Sequence, residues 1–308
     1  MPEFTHKPVM LAEVLAALQP RAGGRYADGT LGGAGHTAAL LAASSPTGWV
    51  YGCDRDGDAL QAAQERLAEF AGRFELRRGN FSELVDWVPA GSCDGVLLDL
   101  GVSSPQLDRA ERGFSFSQDG PLDMRMDTRQ GMTAADLVNT ASAEELARIF
   151  WELADERDSR RFARAMVRDR ERVPFRTTRQ LAGLIERISP RRGKTHPATK
   201  IFQALRLAVN DELGALRAGL DGALKLLRSG GRLAVINFHS IEDRVVKEFG
   251  RARARDYTFP GGTDVPELRV PRPPEMRIIT RKAIQPGADE VAENPRARSA
   301  QLRVLEKV

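Results

Sequence analysis

Apolar positions along the chain keep two different periods, and the switch between them divides it. Residues 8–18, PVMLAEVLAAL, place apolar side chains at helical spacing, with Pro8 suited to a first turn. GGRYADGTLGGAGH then reads as a strand running into a glycine turn, with a helix expected from 36 to 43. Residues 48–54, GWVYGCD, predict a short buried strand, 56–71 a helix and 74–78 a third strand. Residues 94–100, DGVLLDL, form a continuous apolar run ending in acid, the pattern of a parallel strand covered on both faces.

From about 107 to 213 the strand pattern stops, and helical periodicity punctuated by Pro174, Pro190 and Pro197 takes over. A strand of the earlier type returns at 230–238, and 276–284 and 300–307 are two further candidates. The Pro-, Gly- and Arg-rich stretch 252–275 reads as a loop. Strand–helix alternation implies an α/β fold of the Rossmann-like class, with a mostly parallel sheet and an antiparallel terminal hairpin. The expected domains are 1–106 with 214–308, and an inserted helical domain at 107–213. An insertion after the fourth strand is rooted at the carboxyl edge of the sheet, where open α/β folds bind ligands.

Candidate chemistry gathers at that edge. In the turn Asp28-Gly29-Thr30-Leu31-Gly32-Gly33-Ala34-Gly35-His36 the glycines permit close ligand approach, and the following helix offers free N–H groups. Asp54 ends the second strand about twenty residues later, where a carboxylate accepts hydrogen bonds from ribose hydroxyls; it could equally cap the next helix, although Asp56 is available for that. Together they indicate a cofactor containing a nucleoside. Residues 33–38, GAGHTA, fit a loose dinucleotide pattern. Asp28 argues for S-adenosylmethionine instead, since a carboxylate suits a methionine ammonium and sits poorly near a pyrophosphate. Asp99, ending the fourth strand, and the paired terminal strands point the same way. The polar stretch 99–108, DLGVSSPQLD, follows Asp99 and supplies acceptors for an amino group.

Composition adds two points. The net charge of +4 conceals a division, because residues 146–210 carry 16 basic and 7 acidic side chains, a net of +9 that leaves −5 for the remainder. A basic segment on an acidic frame suits a nucleic-acid partner, and a solvated helical face rich in arginine is the plainer alternative. Cys53 and Cys93, without metal or redox spacing, read as small buried hydrophobes in a reducing cytoplasm. No His/Cys cluster has zinc spacing, so no metal is expected. The start lacks a signal-peptide layout and no apolar run is long enough to span a membrane, so no membrane partner is expected.

Several longer runs resemble one family, the bacterial 16S ribosomal RNA cytosine-N4 methyltransferases. They are HKPVML at 6–11, the 28–37 turn, 99–108, GFSF at 113–116, PLDMRMD at 121–127, HPATKIFQALR at 196–206, FHSIEDR at 238–244 and NPRARSA at 294–300. The resemblance covers essentially the whole chain. It implies methylation of a cytosine N4 in the decoding region of small-subunit RNA, with 16S rRNA, carried within the small ribosomal subunit, as partner; a homodimer stays open. It also implies that Ala34, Gly35 and His36 hold the methionine end of S-adenosylmethionine, Asp54 the ribose and Phe81 the adenine, with Asp99 and Gln106 lining the pocket near transfer. The catalytic expectation is that Ser103, Ser104 and Pro105 face Asn237 and His239 across the methyl group, drawing density onto the amino nitrogen. For His239 a backbone-bonding role at a strand end is the alternative. Phe114 and Phe116 are candidates to stack on a splayed base, with a core role as the alternative. Arg191, Arg192 and Lys194, with His196, form the expected RNA contact, although His196 also suits a helix start. Rival classes are a small-molecule or protein methyltransferase, an NAD-dependent dehydrogenase, and an RNA-binding protein without activity. RNA filter binding and thermal shifts with each cofactor would separate them.

Overall fold

The computed structural model describes residues 8–129, 131–189, 196–260 and 263–308. The chain divides into two compact units, Met1–Gly101 with Gly214–Val308, and Val102–Leu213.

The first unit is built on a sheet. Its strands are β1 (Arg25–Asp28), β2 (Trp49–Asp54), β3 (Phe74–Arg78), β4 (Cys93–Asp99) and β5 (Leu227–Asn237). A separate two-stranded ribbon pairs β6 (Tyr257–Thr258) with β7 (Val270–Pro271), so the stretch read from sequence as plain loop carries a short antiparallel ribbon. β8 (Met276–Ile278) and β9 (Gln301–Lys307) complete the main sheet in the order β3-β2-β1-β4-β5-β9-β8. The first five strands are parallel, and β9 runs antiparallel to both β5 and β8. This is the mostly parallel, Rossmann-like sheet with an antiparallel terminal pair that the periodicity predicts. The connection between β8 and β9 carries a short helix, Ala288–Glu293.

The apolar runs are continuous because both faces of the sheet are covered. On one face Val96, Leu98, Leu233 and Val235 pack with Leu216, Leu220 and Val246; on the other Leu97, Ala234 and Ile236 pack with Val14, Leu18, Leu40 and Leu41. Helix α1 (Leu11–Leu18) precedes β1, and α2 (Gly35–Ala43) and α3 (Gly57–Arg66) follow β1 and β2. α1 begins later than its pattern suggests, because Met10 takes a left-handed conformation (φ 54°) at the cap and leaves Pro8 outside. Pro8 lies instead over Gly35, where an added Cβ would come within 2.4 Å of its ring.

The second unit is helical: α4 (Ser104–Asp108), α5 (Ala134–Thr140), α6 (Ala143–Ala154), α7 (Ser159–Arg170), α8 (Thr178–Ile188) and α9 (Ala198–Val209). Side chains of Thr133, Ser142 and Thr177 accept N–H groups at the starts of α5, α6 and α8. Its core includes Phe114, Leu122, Phe150, Phe162, Met166, Leu181, Ile201 and Leu205. Much of the 121–127 run is structural: Asn210 accepts from the Met126 N–H and donates to the Met124 carbonyl, both at 2.8 Å. Asp123 accepts two guanidinium bonds from Arg125, each at 2.8 Å. α10 (Glu212–Leu226) and α11 (Ser240–Arg253) flank β5 in the chain.

Candidate functional site

Four adjacent parallel strands, in the spatial order β2, β1, β4, β5, end in Asp54, Asp28, Asp99 and Asn237. The strand order reverses between β1 and β4, so Asp28 and Asp99 flank the switch point of the sheet. Asp28 is buried and accepts from Thr37 Oγ1 at 2.6 Å and from the Thr30 N–H at 3.1 Å. Thr30 Oγ1 in turn accepts from the Asp99 N–H at 2.7 Å, tying the glycine turn to the end of β4.

The glycine turn uses its glycines in different ways, and Ala34 shares the left-handed backbone with one of them. Positive φ falls on Gly32 (48°) and Ala34 (55°), while Gly29 is required by crowding, since a Cβ there would come within 2.6 Å of Phe81 and Leu98. The Gly33 carbonyl accepts from Arg66 Nη1 at 3.2 Å. Gly35 and His36 open α2. His36 is buried, with Nε2 at 2.9 Å from the Val9 carbonyl and Nδ1 at 3.7 Å from Asp99 Oδ2. Donation from Nε2 to the carbonyl sets the tautomer and points Nδ1 at the carboxylate.

Asp54 accepts from the Gly32 and Asp56 N–H groups, both at 2.9 Å. Burial nevertheless pushes its carboxyl up to about 6, and the charges of Asp56 and Asp28 add to the rise. The capping of α3 falls to Asp56, whose side chain accepts from the Asp58 N–H. Burial holds Asp99 well above the carboxylate range, reinforced by Asp28 and Glu242. Asp99 Oδ1 is buried with no hydrogen-bond partner among the described residues, and so are both Oδ1 and Nδ2 of Asn237. Asn237 is 0% exposed, so neither amide atom is served by bulk water.

His239 caps α11: Nδ1 accepts from the Glu242 N–H at 3.4 Å and Nε2 lies 3.0 Å from Glu242 Oε1. Glu242, 2% exposed, also accepts from the Phe238 N–H at 2.9 Å. Phe81 starts a 3-10 turn after β3 and packs its ring edge over Gly219 of α10, where a Cβ would clash at 2.4 Å.

Ser103, Ser104, Pro105 and Gln106 fall in the helical unit. The stretch read as a polar turn is the start of α4, with Ser103 at the cap and Gln106 Oε1 accepting the Ser103 N–H at 3.0 Å. A serine followed three residues on by glutamine is a capping-box signal, and it explains the correction. His196 also serves a helix start: Nδ1 accepts from the Ala198 N–H at 3.1 Å, Nε2 lies 2.6 Å from Glu186 Oε1, and the ring lies 4.5 Å from that of Phe116. Phe114 is in the core. Arg191, Arg192 and Lys194 lie outside the described residues.

α7 is the most polarised basic element of the helical unit. Arg160, Arg161, Arg164 and Arg168 are exposed, whereas Phe162, Ala163, Ala165 and Met166 are buried. At 100° per residue the four arginines share one outer face. Among the described residues Arg160 and Arg161 have no carboxylate partner. Exposed Trp151, on the neighbouring α6, is 57% accessible.

Sequence reasoning missed Thr30, Thr37 and Glu242. Only Glu242 carries a local signal, an acid three residues beyond its helix cap. No helix among the described residues is long and apolar enough to cross a membrane.

Comparison with known proteins adds a family. Residues 3–308 match the profile of the MraW methylase family. Ribosomal RNA small subunit methyltransferase H of Geobacter sulfurreducens is 53% identical over 311 residues, 99% of each chain. The protein of that name from Citrifermentans bemidjiense is 50% identical over the full length of both chains. That from Thermomicrobium roseum is 48% identical, covering 99% of this chain and 94% of its own.

Proposed function

This chain belongs to the MraW methylase family, and from that premise we propose that it methylates the N4 amino group of a cytidine in the decoding region of 16S rRNA. It is an S-adenosylmethionine-dependent methyltransferase, and what is proposed is the substrate, the target atom and the residues. The observation that carries the reading is Asn237, a fully buried amide with both polar atoms unpartnered among the described residues, beside Asp99 at the next strand end. A buried amide without partners costs on the order of 1–3 kcal/mol, a cost offset when a ligand supplies a donor and an acceptor.

The acidic row fits the cofactor. Asp28, Asp54 and Asp99 are crowded and buried enough that two of them resist ionisation, so the place favours a cation. When bound, S-adenosylmethionine supplies an electrophilic methyl on a sulfonium and brings positive charge. Asp54 would accept the ribose hydroxyls, Phe81 would lie along the adenine, and Ala34, Gly35 and His36 would bound the methionine end.

For the target, a cytosine amino group is a weak nucleophile because its lone pair is delocalised into the ring. Acceptors at its two N–H bonds draw density back onto nitrogen and orient it. Asn237 Oδ1 is proposed as one acceptor and Asp99 Oδ1 as the other. A neighbouring positive charge brings Asp99 back toward ionisation, leaving Oδ1 free to hold the departing proton. His239 positions the loop after β5 through Glu242. The base must be unpaired or flipped to be reached, so the substrate is a loop or junction within the small subunit.

Val102–Leu213 is proposed as the RNA-recognition unit, with the α7 arginines supplying phosphate contacts and Arg191, Arg192, Lys194 and His196 extending them. Cells with and without the protein should differ by one methyl group on a cytidine of small-subunit RNA by nucleoside mass mapping. Identical maps would refute the substrate assignment.

A further inference from the structure

The antiparallel end of the sheet, on the far side of β5 from the three strand-end acids, carries a second feature. α11 lies over β8 and β9 and leaves a cavity of about 210 Å³ between them. Its floor is apolar: Val246 from the helix, and Ile278 and Leu305, which sit opposite each other across the β8–β9 pair. Gly250 sets the depth, because a Cβ there would lie 2.9 Å from Leu305 Cδ2. Without a side chain at that position the helix approaches β9, and the next turn of α11 flanks the cavity.

The rim is cationic. Lys247 and Arg251 line it from α11, and Arg281 from the segment after β8. None of the three has a carboxylate partner among the described residues. Arg303 also lines the cavity, and its guanidinium is held by both oxygens of Asp243, which neutralises it and fixes it as a wall. Three unneutralised cations therefore converge on one small apolar floor. That pairing of charge and floor suits a phosphate whose attached nucleoside can lay its base or the C–H edge of its sugar on the apolar residues. The cavity lies below the roughly 300–1,000 Å³ of pockets that enclose drug-sized ligands, which favours one phosphodiester unit of a longer chain.

We propose that this cleft seats a phosphodiester of the RNA substrate, a contact made by the sheet unit itself and independent of the helical unit. The inference rests on the reading of the protein as an RNA methyltransferase. It identifies a place where the sheet unit can meet a polyanion: phosphate is repelled from the strand ends that hold Asp28, Asp54 and Asp99, and is attracted to the cationic rim beside β8 and β9. The contact positions RNA and carries no sequence choice.

The test uses the full-length protein and small-subunit rRNA across a salt series. Lys247→Ala, Arg251→Ala and Arg281→Ala together should weaken binding at least tenfold and lower the salt slope by about two to three, with the dissociation constant for S-adenosylmethionine changed less than twofold. Lys247 is half-buried, so a second variant, Arg251→Glu with Arg281→Glu, changes only exposed groups and should weaken RNA binding by a similar factor. Arg217→Ala with Lys225→Ala, two exposed cations on α10, is the comparison. An equal loss per charge there would make the effect bulk electrostatics and overturn the cleft. So would unchanged RNA binding in the triple variant, or saturable binding of adenosine monophosphate that the triple variant loses while its RNA affinity stays intact. Wild-type protein that does not bind the rRNA at all would overturn the functional reading and the cleft together. Normal wild-type binding with an unaffected triple variant would overturn the cleft alone.

Discussion

At the strand ends of the sheet unit, charge is buried: Asp28 is 1% exposed and burial pushes Asp54 up to about 6. On α7 of the helical unit, charge stands in water, with the Arg168 side chain 68% exposed. The same Coulomb law gives these two regions different uses. In a poorly solvated row of like charges each carboxylate feels its neighbours strongly, and the strain is relieved by one well-placed cationic ligand. Exposed guanidinium groups are screened within about 8 Å at physiological salt, so each counts for little and a polyanion must meet several at once. One arrangement selects a small molecule by geometry; the other gathers a long one by number.

Replacing Asn237 breaks the comparison on its buried side. Asn237→Ala should lower the single-turnover rate of methyl transfer by about 100-fold, the range for loss of one preorganised polar group, and change cofactor affinity much less. A wild-type rate in this variant would leave Asp99 as the leading acceptor. Asp54→Ala should weaken S-adenosylmethionine binding by roughly 1.5–3 kcal/mol, the range for hydrogen bonds to a charged group. Calorimetry on a folded variant checks this, and unchanged affinity removes Asp54 from the ribose site.

On the exposed side, Arg160, Arg161, Arg164 and Arg168 changed together to Ala should reduce RNA affinity by more than tenfold at low salt. The salt slope should fall by about three to four, while cofactor binding is spared. An unchanged slope would confine these arginines to solvation.

The smallest effect sharpens the contrast through pH. A carboxyl raised to about 6 in the free site binds its proton more tightly in the folded than in the unfolded chain. Protein without cofactor should therefore lose stability as pH rises from about 4 through 6, the reverse of a salt-bridged acid. Cofactor binding that needs Asp54 ionised should be about tenfold weaker at pH 5 than at pH 7.5. RNA affinity of the α7 face, built on arginine, should not follow that titration. A flat cofactor profile would show that Asp54 binds in its protonated form.

Local pattern carries far in this chain. Strand ends marked by acid, a glycine turn before a helix, and helical spacing from 107 to 213 are all properties of neighbouring residues, and a period of 2 or 3.6 needs no partner to be seen. The mostly parallel sheet and the family resemblance were legible on that basis. Pro8 outside α1 and the β6–β7 ribbon were not, because they depend on packing against Gly35 and on a pairing across a dozen residues. The capping role of Gln106 is locally legible, because Ser103 and Gln106 stand at capping-box spacing.

What the sequence determined alone is which residues end each strand. Tertiary structure decided that β1 lies between β2 and β4, so that residues 26 to 138 positions apart become neighbours in one row. It also decided that Asn237 is buried with no partner among the described residues and that Asp54 and Asp99 resist ionisation. Burial and like-charge crowding are sums over surroundings that exist only after the chain has folded. The cavity between α11 and β9 has the same origin, since Gly250 acquires its meaning only where Leu305 approaches it.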